Sequence, residues 1–381
     1  DFKIDKSPVL GDPLDYKKLG DALGSRPSLC VVDSTNMLNE NKGKSESLLK
    51  EPIHEIIKKS KGRIIFTSFA SNIGRLKIIA EAGEKSGRSI AVFGRAMNNM
   101  LSKAKETGIL SDFPKLIDSR KAHLLPRENL LVIATGSQGE IRAASAQLSR
   151  GKYMGLAIED GDTFVFSSKT IPGNEVPVNR VINNLSDKGV EVKYSDEREF
   201  HVSGHTNIPE MMDFYKKVKP LLVFPMHGEI RHLLAHKKIL AKKNINAEVV
   251  KNGEVIEIDK DLKITKDSSE NPERLFLDGK IIAKSDNTAF RERIKMAVEG
   301  LLVIQIGYRD SKKSISAHFS SFGLPRFEDY VDELRTNAET YLNNRIKRKD
   351  RYKLDEFERF VKEDIYSICG KKPIIKVAEI K

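Results

Sequence analysis

Gly62-Arg-Ile-Ile-Phe-Thr-Ser-Phe69 decides the fold class of this chain. It is a short apolar run, and Ile73, Leu76, Ile79 and Ala80 follow it at helical spacing. A buried strand feeding an amphipathic helix is the building unit of an α/β sheet. The unit recurs. Ser89-Ile-Ala-Val-Phe93, Leu130-Leu-Val-Ile-Ala134, Thr163-Phe-Val-Phe166 and Val190-Glu-Val-Lys-Tyr194 read as further strands, with helices over 96–106, 140–148 and 174–188. This succession predicts a mostly parallel, doubly wound sheet.

Polar residues gather just after these strands: Ser71, Asn72 and Arg75; Gly94 and Arg95; Gly136-Ser-Gln-Gly139 and Arg142; Ser167, Ser168, Gly173 and Asn174. All would leave the carboxyl edge of the sheet, where α/β folds bind ligands. Taken singly, each is an ordinary turn or cap residue. Four such loops on one edge make a phosphate-binding surface.

The alternation continues with a helix at 208–218, a strand at 221–224, a helix at 230–242 and a strand at 247–249. A polar, lysine-rich loop is expected over 261–273. Strands at 274–283 and 301–306 flank a helix near 288–298, helices follow over 329–348 and 354–369, and a strand closes the chain at 373–380. These elements predict a small C-terminal α/β unit.

A chain of 381 residues with 31% charged and 39% hydrophobic residues is expected to form two or three soluble domains. Its apolar runs are too short for a transmembrane helix, and Asp1-Phe-Lys-Ile does not read as a signal peptide. The only cysteines, Cys30 and Cys369, argue for a reducing, cytoplasmic compartment over a disulfide framework. The net charge of +12 favours a polyanionic partner, nucleic acid first. The plainer alternative is a solubilising lysine-rich surface. The basic run from Arg345 to Arg351 has the same two readings.

Three of the eight histidines fall in His201-Val-Ser-Gly-His205 and Met226-His227-Gly-Glu229, each close to a glycine. Such a cluster suits a metal or a phosphate. Asp33-Ser-Thr-Asn36 adds a carboxylate at a strand end. His232 and His236 stand four apart on a helix, a spacing that can bind metal, and read as helix-face residues; His54, His123 and His318 stay unassigned.

In order, Asp33-Ser-Thr-Asn36, Phe69-Ala-Ser-Asn-Ile73, Val92-Phe-Gly-Arg-Ala-Met97, Thr135-Gly-Ser-Gln-Gly-Glu140, Phe166-Ser-Ser-Lys-Thr-Ile-Pro-Gly-Asn174, His201-Val-Ser-Gly-His205 and Pro225-Met-His-Gly-Glu229 form a series. The series resembles that of the RNase J family, β-CASP ribonucleases of the metallo-β-lactamase superfamily. The resemblance implies a partial metallo-β-lactamase αββα domain, an inserted β-CASP domain with a doubly wound parallel sheet, and a small C-terminal α/β domain. The implied divisions are 1–36, 37–200, 201–318 and 319–381.

It also implies site roles. Asp33 would bridge metals, and His227 would be the last histidine ligand. Glu46 would hold His205, which faces the scissile phosphate. His201, Ser203, Gly204 and nearby backbone N–H groups would bind phosphate oxygens, while Ser137, Gln138, Ser168 and Gly173 would line an RNA channel. The implied cofactor is two Zn²⁺ (or Mn²⁺/Mg²⁺) ions. The implied activity is 5′→3′ exonuclease and endonuclease cleavage of RNA in processing and decay, with a preference for 5′-monophosphate ends. The implied assembly is a homodimer or homotetramer, without membrane association.

One departure stands out: no His-x-His-x-Asp-His run occurs, so the family's ligand set is incomplete. The expectation is a fragment, inactive alone, with Asp33 exposed at a torn edge of a halved core. A non-catalytic RNA-binding or scaffold protein that keeps the phosphate pocket is the alternative, and a DNA-acting β-CASP nuclease is a third.

Overall fold

The computed structural model describes residues 2–24, 29–194, 200–270, 273–309, 314–347 and 353–380. It divides into two compact units, Asp1–Ser269 and Glu270–Lys381.

In chain order the first unit contains α1 (Tyr16–Leu23), β1 (Leu29–Asp33), α2 (Lys50–Lys59), β2 (Ile64–Thr67), α3 (Ile73–Lys85), β3 (Ser89–Phe93), α4 (Arg95–Glu106), β4 (Leu130–Ala134), α5 (Ala144–Arg150), β5 (Lys152–Tyr153), β6 (Leu156–Ala157), β7 (Thr163–Phe166), α6 (Glu175–Ser186), β8 (Glu191–Lys193), α7 (Ile208–Val218), β9 (Leu222–Met226), α8 (Ile230–Ala241), β10 (Glu254–Ile258) and β11 (Ile264–Ser269). The expected doubly wound sheet is present, with five parallel strands in the order β3-β4-β2-β7-β8. Alternate strand residues feed two cores. Ile64, Phe66, Val92, Leu131 and Ile133 face Ile53, Ile57, Leu76, Ile79 and Met97 of α2, α3 and α4. Ile65, Phe93, Val132, Phe164 and Phe166 face Leu148, Val178, Val181 and Leu185 of α5 and α6. Burial on both faces is why these strands read as unbroken apolar runs.

A second, smaller layer carries the histidines. β1 and β9 pair in parallel, with Asp33 opposite Met226. Val32, Met37, Met211, Tyr215, Val223 and Leu240 pack beneath them. Asp33 is 2% exposed, so it is buried where exposure was expected. The expected strand at 247–249 is reduced to one bridge, Val223 to Ala247. The expected loop at 261–273 instead contributes β11, which forms a hairpin with β10.

The second unit holds β12 (Leu275–Asp278), β13 (Ile281–Lys284), α9 (Thr288–Glu299), β14 (Leu301–Arg309), β15 (Ser314–Phe322), α10 (Val331–Lys347), α11 (Leu354–Cys369) and β16 (Ile374–Ile380). The single strand expected at 274–283 turns back at Gly279 (φ +65°) as a hairpin. β14 is central, antiparallel to β15 and parallel to β16. Leu302, Ile304, Leu334, Leu342, Phe357 and Ile365 form its core. Strand residues 301–322 therefore belong with this unit, which begins at Glu270. The basic run at 345–351 lies largely outside the described residues.

Candidate active site

Parallel pairing of β1 and β9 brings Asp33-Ser-Thr-Asn36 and His227 out at one edge. Ser34 N–H donates to the Met226 carbonyl at 2.8 Å, and the Thr35 hydroxyl donates to the His227 carbonyl at 2.8 Å. His227 is held in the left-handed region (φ +52°), a costly conformation that the surrounding bonds must maintain.

Asp33 Oδ1 accepts the Thr35 N–H at 2.8 Å, and Oδ2 lies 2.5 Å from His205 Nδ1. Burial alone would raise the Asp33 carboxyl, but the bonds from His205 and Thr35 outweigh it and hold its pKa at about 2. The carboxylate is thus charged at neutral pH and fixes which ring nitrogen of His205 is engaged. His205 and His227 rings stack, with centroids 5.5 Å apart.

The Asn36 amide donates to Ser203 Oγ (2.8 Å), the His205 carbonyl (3.1 Å) and Asn207 Oδ1 (2.8 Å). Ser203 Oγ also accepts the His205 N–H at 3.1 Å. With two bonds accepted, the hydroxyl keeps its proton for donation. His201, Ser203 and His205 line a cavity of about 350 Å³ together with Lys3, Lys42 and Lys44. Burial, aided by the positive charges of Arg75, Lys3 and Lys169, pulls His201 down to a pKa of about 4, so its ring is neutral. Gly204 is exposed, with open space where a side chain would stand.

Glu46 does not hold His205. Its two oxygens fork onto Arg75 Nε and Nη2. Arg75, fully buried, also donates to Ser167 O and Oγ and to the Phe200 carbonyl. Glu46 therefore braces the backbone that leads into His201, and Asp33 is the carboxylate partner of His205. Ser137 and Gln138 are buried too. The Gln138 amide is spent on Lys169 O, Ile171 N–H and Asn174 Nδ2, so it shapes the 169–174 loop from within. Ser168 is likewise buried, and Gly173 N–H donates to Glu175.

His236 is more than a helix-face residue. It is fully buried, bonded through Nδ1 to Ser34 Oγ (2.9 Å) and through Nε2 to Tyr215 OH (3.0 Å). His232 caps α8 by accepting the Glu229 N–H. Thr35 and Asn36 are site residues that motif reading left without a role of their own, and Arg75, expected on the phosphate-binding surface, is instead buried against Glu46. For Thr35 and Asn36 the signal is only proximity in sequence to Asp33, because their partners lie up to 192 residues away.

Asp33, His205 and His227 each offer a ligand atom, and these atoms lie within 4.8 Å of one another. One carboxylate and two imidazoles suit Zn²⁺ and neighbouring divalent ions. The donor set fits a metal, with Asp33 shared between that duty and the orientation of His205.

The family model described as "Ribonuclease J, beta-CASP domain" matches residues 61–185, and "Zn-dependent metallo-hydrolase RNA specificity domain" matches 189–250. A ribonuclease J of Sinorhizobium meliloti is 33% identical over 99% of this chain and 68% of its own length. The chain belongs to the ribonuclease J family. A ribonuclease J 1 of Streptococcus pyogenes is 41% identical over 62% of the chain and 42% of its own length, and a Helicobacter pylori ribonuclease J is 29% identical over 98% and 56%. The chain thus spans between about two fifths and two thirds of the length of these ribonuclease J relatives. No helix among its described residues is long and apolar enough to cross a membrane.

Proposed function

We infer that this chain carries the RNA-cleaving site of a metal-dependent ribonuclease that acts 5′→3′ and internally, with preference for 5′-monophosphate ends. The observation that carries this reading is the convergence of Asp33, His205 and His227 beside a lysine-rich cavity.

Asp33 and His227 would hold the metal, which when bound supplies Lewis acidity toward the scissile phosphate. The protein's own contribution follows from its bonds. Asp33 orients the His205 ring through Nδ1, and a ring so held can give or take a proton at its other nitrogen. Ser203 donates its remaining proton to a phosphate oxygen, while Lys3, Lys42 and Lys44 draw the anion into the cavity. Neutral His201 leaves the pocket's charge to the lysines.

The test is His205→Ala in the metal-loaded protein. Cleavage of 5′-phosphorylated RNA should fall at least about a hundredfold while the Kd for RNA changes little. Equal losses in both would remove His205 from the chemistry. Binding that survives chelation with no cleavage by the unaltered protein would favour a scaffold.

A further inference from the structure

The carboxyl edge of the five-stranded sheet is level. Phe93, Ala134, Thr67 and Phe166 are in register at the ends of β3, β4, β2 and β7. At the β7 end, Lys169 is exposed and its charge is felt by His201. Arg75, under the same stretch, is consumed by Glu46. The polar residues after β4, Ser137 and Gln138, are buried.

The far end of the edge differs. Between the loops after β3 and β4 lies a cavity of about 450 Å³, lined by Arg95, Asn99, Thr135, Arg142 and Tyr153. Arg95 and Arg142 are both exposed, and neither guanidinium has a hydrogen-bond or ion-pair partner among the described residues. The site is built, not incidental. Gly94 has φ +126°, and a Cβ there would stand 2.3 Å from the Thr135 hydroxyl, so only glycine lets the two loops approach this closely. The turn that presents Arg142 is braced by Arg150, which donates to the Ile141 carbonyl at 2.8 Å.

We propose that this cavity is a second phosphate subsite, which holds the backbone of single-stranded RNA away from the histidine site. Two unpaired guanidiniums from separate loops suit a phosphodiester better than a neutral ligand. Three strand spacings separate β3 from β7, about 14 Å in all, a span that an extended single strand covers in a few nucleotides. The inference rests on the reading of RNA as the ligand, and it adds that the sheet edge is the track the RNA follows.

The experiment measures binding of a 5′-phosphorylated 12-nucleotide oligoadenylate and of the dinucleotide pApA by the full chain with metal bound, over a range of salt. The double variant Arg95→Ala/Arg142→Ala should bind the 12-mer about tenfold more weakly, and its log–log salt slope should shrink by about 1.4, the value for two single-strand phosphate contacts. Binding of pApA should be preserved. A control variant, Lys58→Ala/Lys61→Ala, removes the same charge beside the opposite edge of the sheet and should leave the slope intact. An unchanged 12-mer affinity in the arginine variant overturns the subsite. So does equal weakening of both ligands, or an equal effect of the control. Failure of the unaltered protein to bind the 12-mer would instead bring down the RNA reading itself, and the subsite with it.

Discussion

At the residue scale, two carboxylates divide the work differently from what the motif series implied. Asp33 keeps its charge through Thr35 and His205, whereas Glu46 is locked onto Arg75. The difference is measurable. Asp33→Asn should leave the fold intact, because an amide oxygen can still accept the Thr35 N–H. Its NH₂ would then face His205 Nδ1 and impose the other tautomer, so kcat should fall by about a hundredfold or more. Glu46→Gln should do the reverse. It leaves Arg75 buried without its counter-charge, at a cost of about 3 kcal/mol in urea unfolding. Its kcat loss should be the smaller of the two. If Glu46→Gln gave the larger fall in kcat at unchanged stability, the assignment would be reversed. Motif spacing exposed both acids, but it could not say which one meets His205. That depends on how Asn36 holds the 203–207 loop against the end of β1, through contacts about 170 residues apart in sequence.

At the element scale, what was legible followed burial. β2, β3, β4 and β7 are apolar throughout because helices cover both faces, and each was placed within a residue or two by its composition. β15 was missed. Only Ile315, Ala317 and Phe319 face its core, and serines and His318 alternate with them, so it reads as a polar stretch. α8 shows the same limit. Its length was legible, but its tie to the β1 loop through His236 was not. That tie has a pH signature. Burial pulls His236 down to a pKa of about 4, against about 6.5 in an unfolded chain, with the Asp33 charge opposing. As pH falls through 6.5 the unfolded chain takes the proton and the folded one does not. Stability is therefore full above 6.5 and is lost progressively down to 4. The loss from this residue is roughly 2 kcal/mol at pH 5. His201 adds a loss of the same sign. His236→Gln, which has no such proton to refuse, should lose clearly less stability than the unaltered protein between pH 7.5 and 5. Identical acid losses in the two proteins would mean that His236 is not the group being charged.

At the scale of the whole molecule, the series of motifs made the family legible because its pieces fall in a fixed order along the chain, and order survives where any single motif is ambiguous. The boundary between units was harder to see. The sequence of residues 261–273 is polar and looks like a linker, while which unit a stretch joins depends on which core the following strands enter. β14 and β15 enter the core built by Leu334, Leu342, Phe357 and Ile365, separate from the three cores of the first unit. Separate cores predict separate melting. Leu342 is fully buried, and Leu342→Ala should destabilise the second unit by about 3 kcal/mol. In a unit of 112 residues that is a fall of about 10 °C or more in one calorimetric transition. Leu131→Ala, in the β-CASP sheet, should shift the other transition and leave the first in place. If either variant moved a single shared transition, the two units would unfold as one cooperative block. The second unit's core would then contribute directly to the stability of the histidine site.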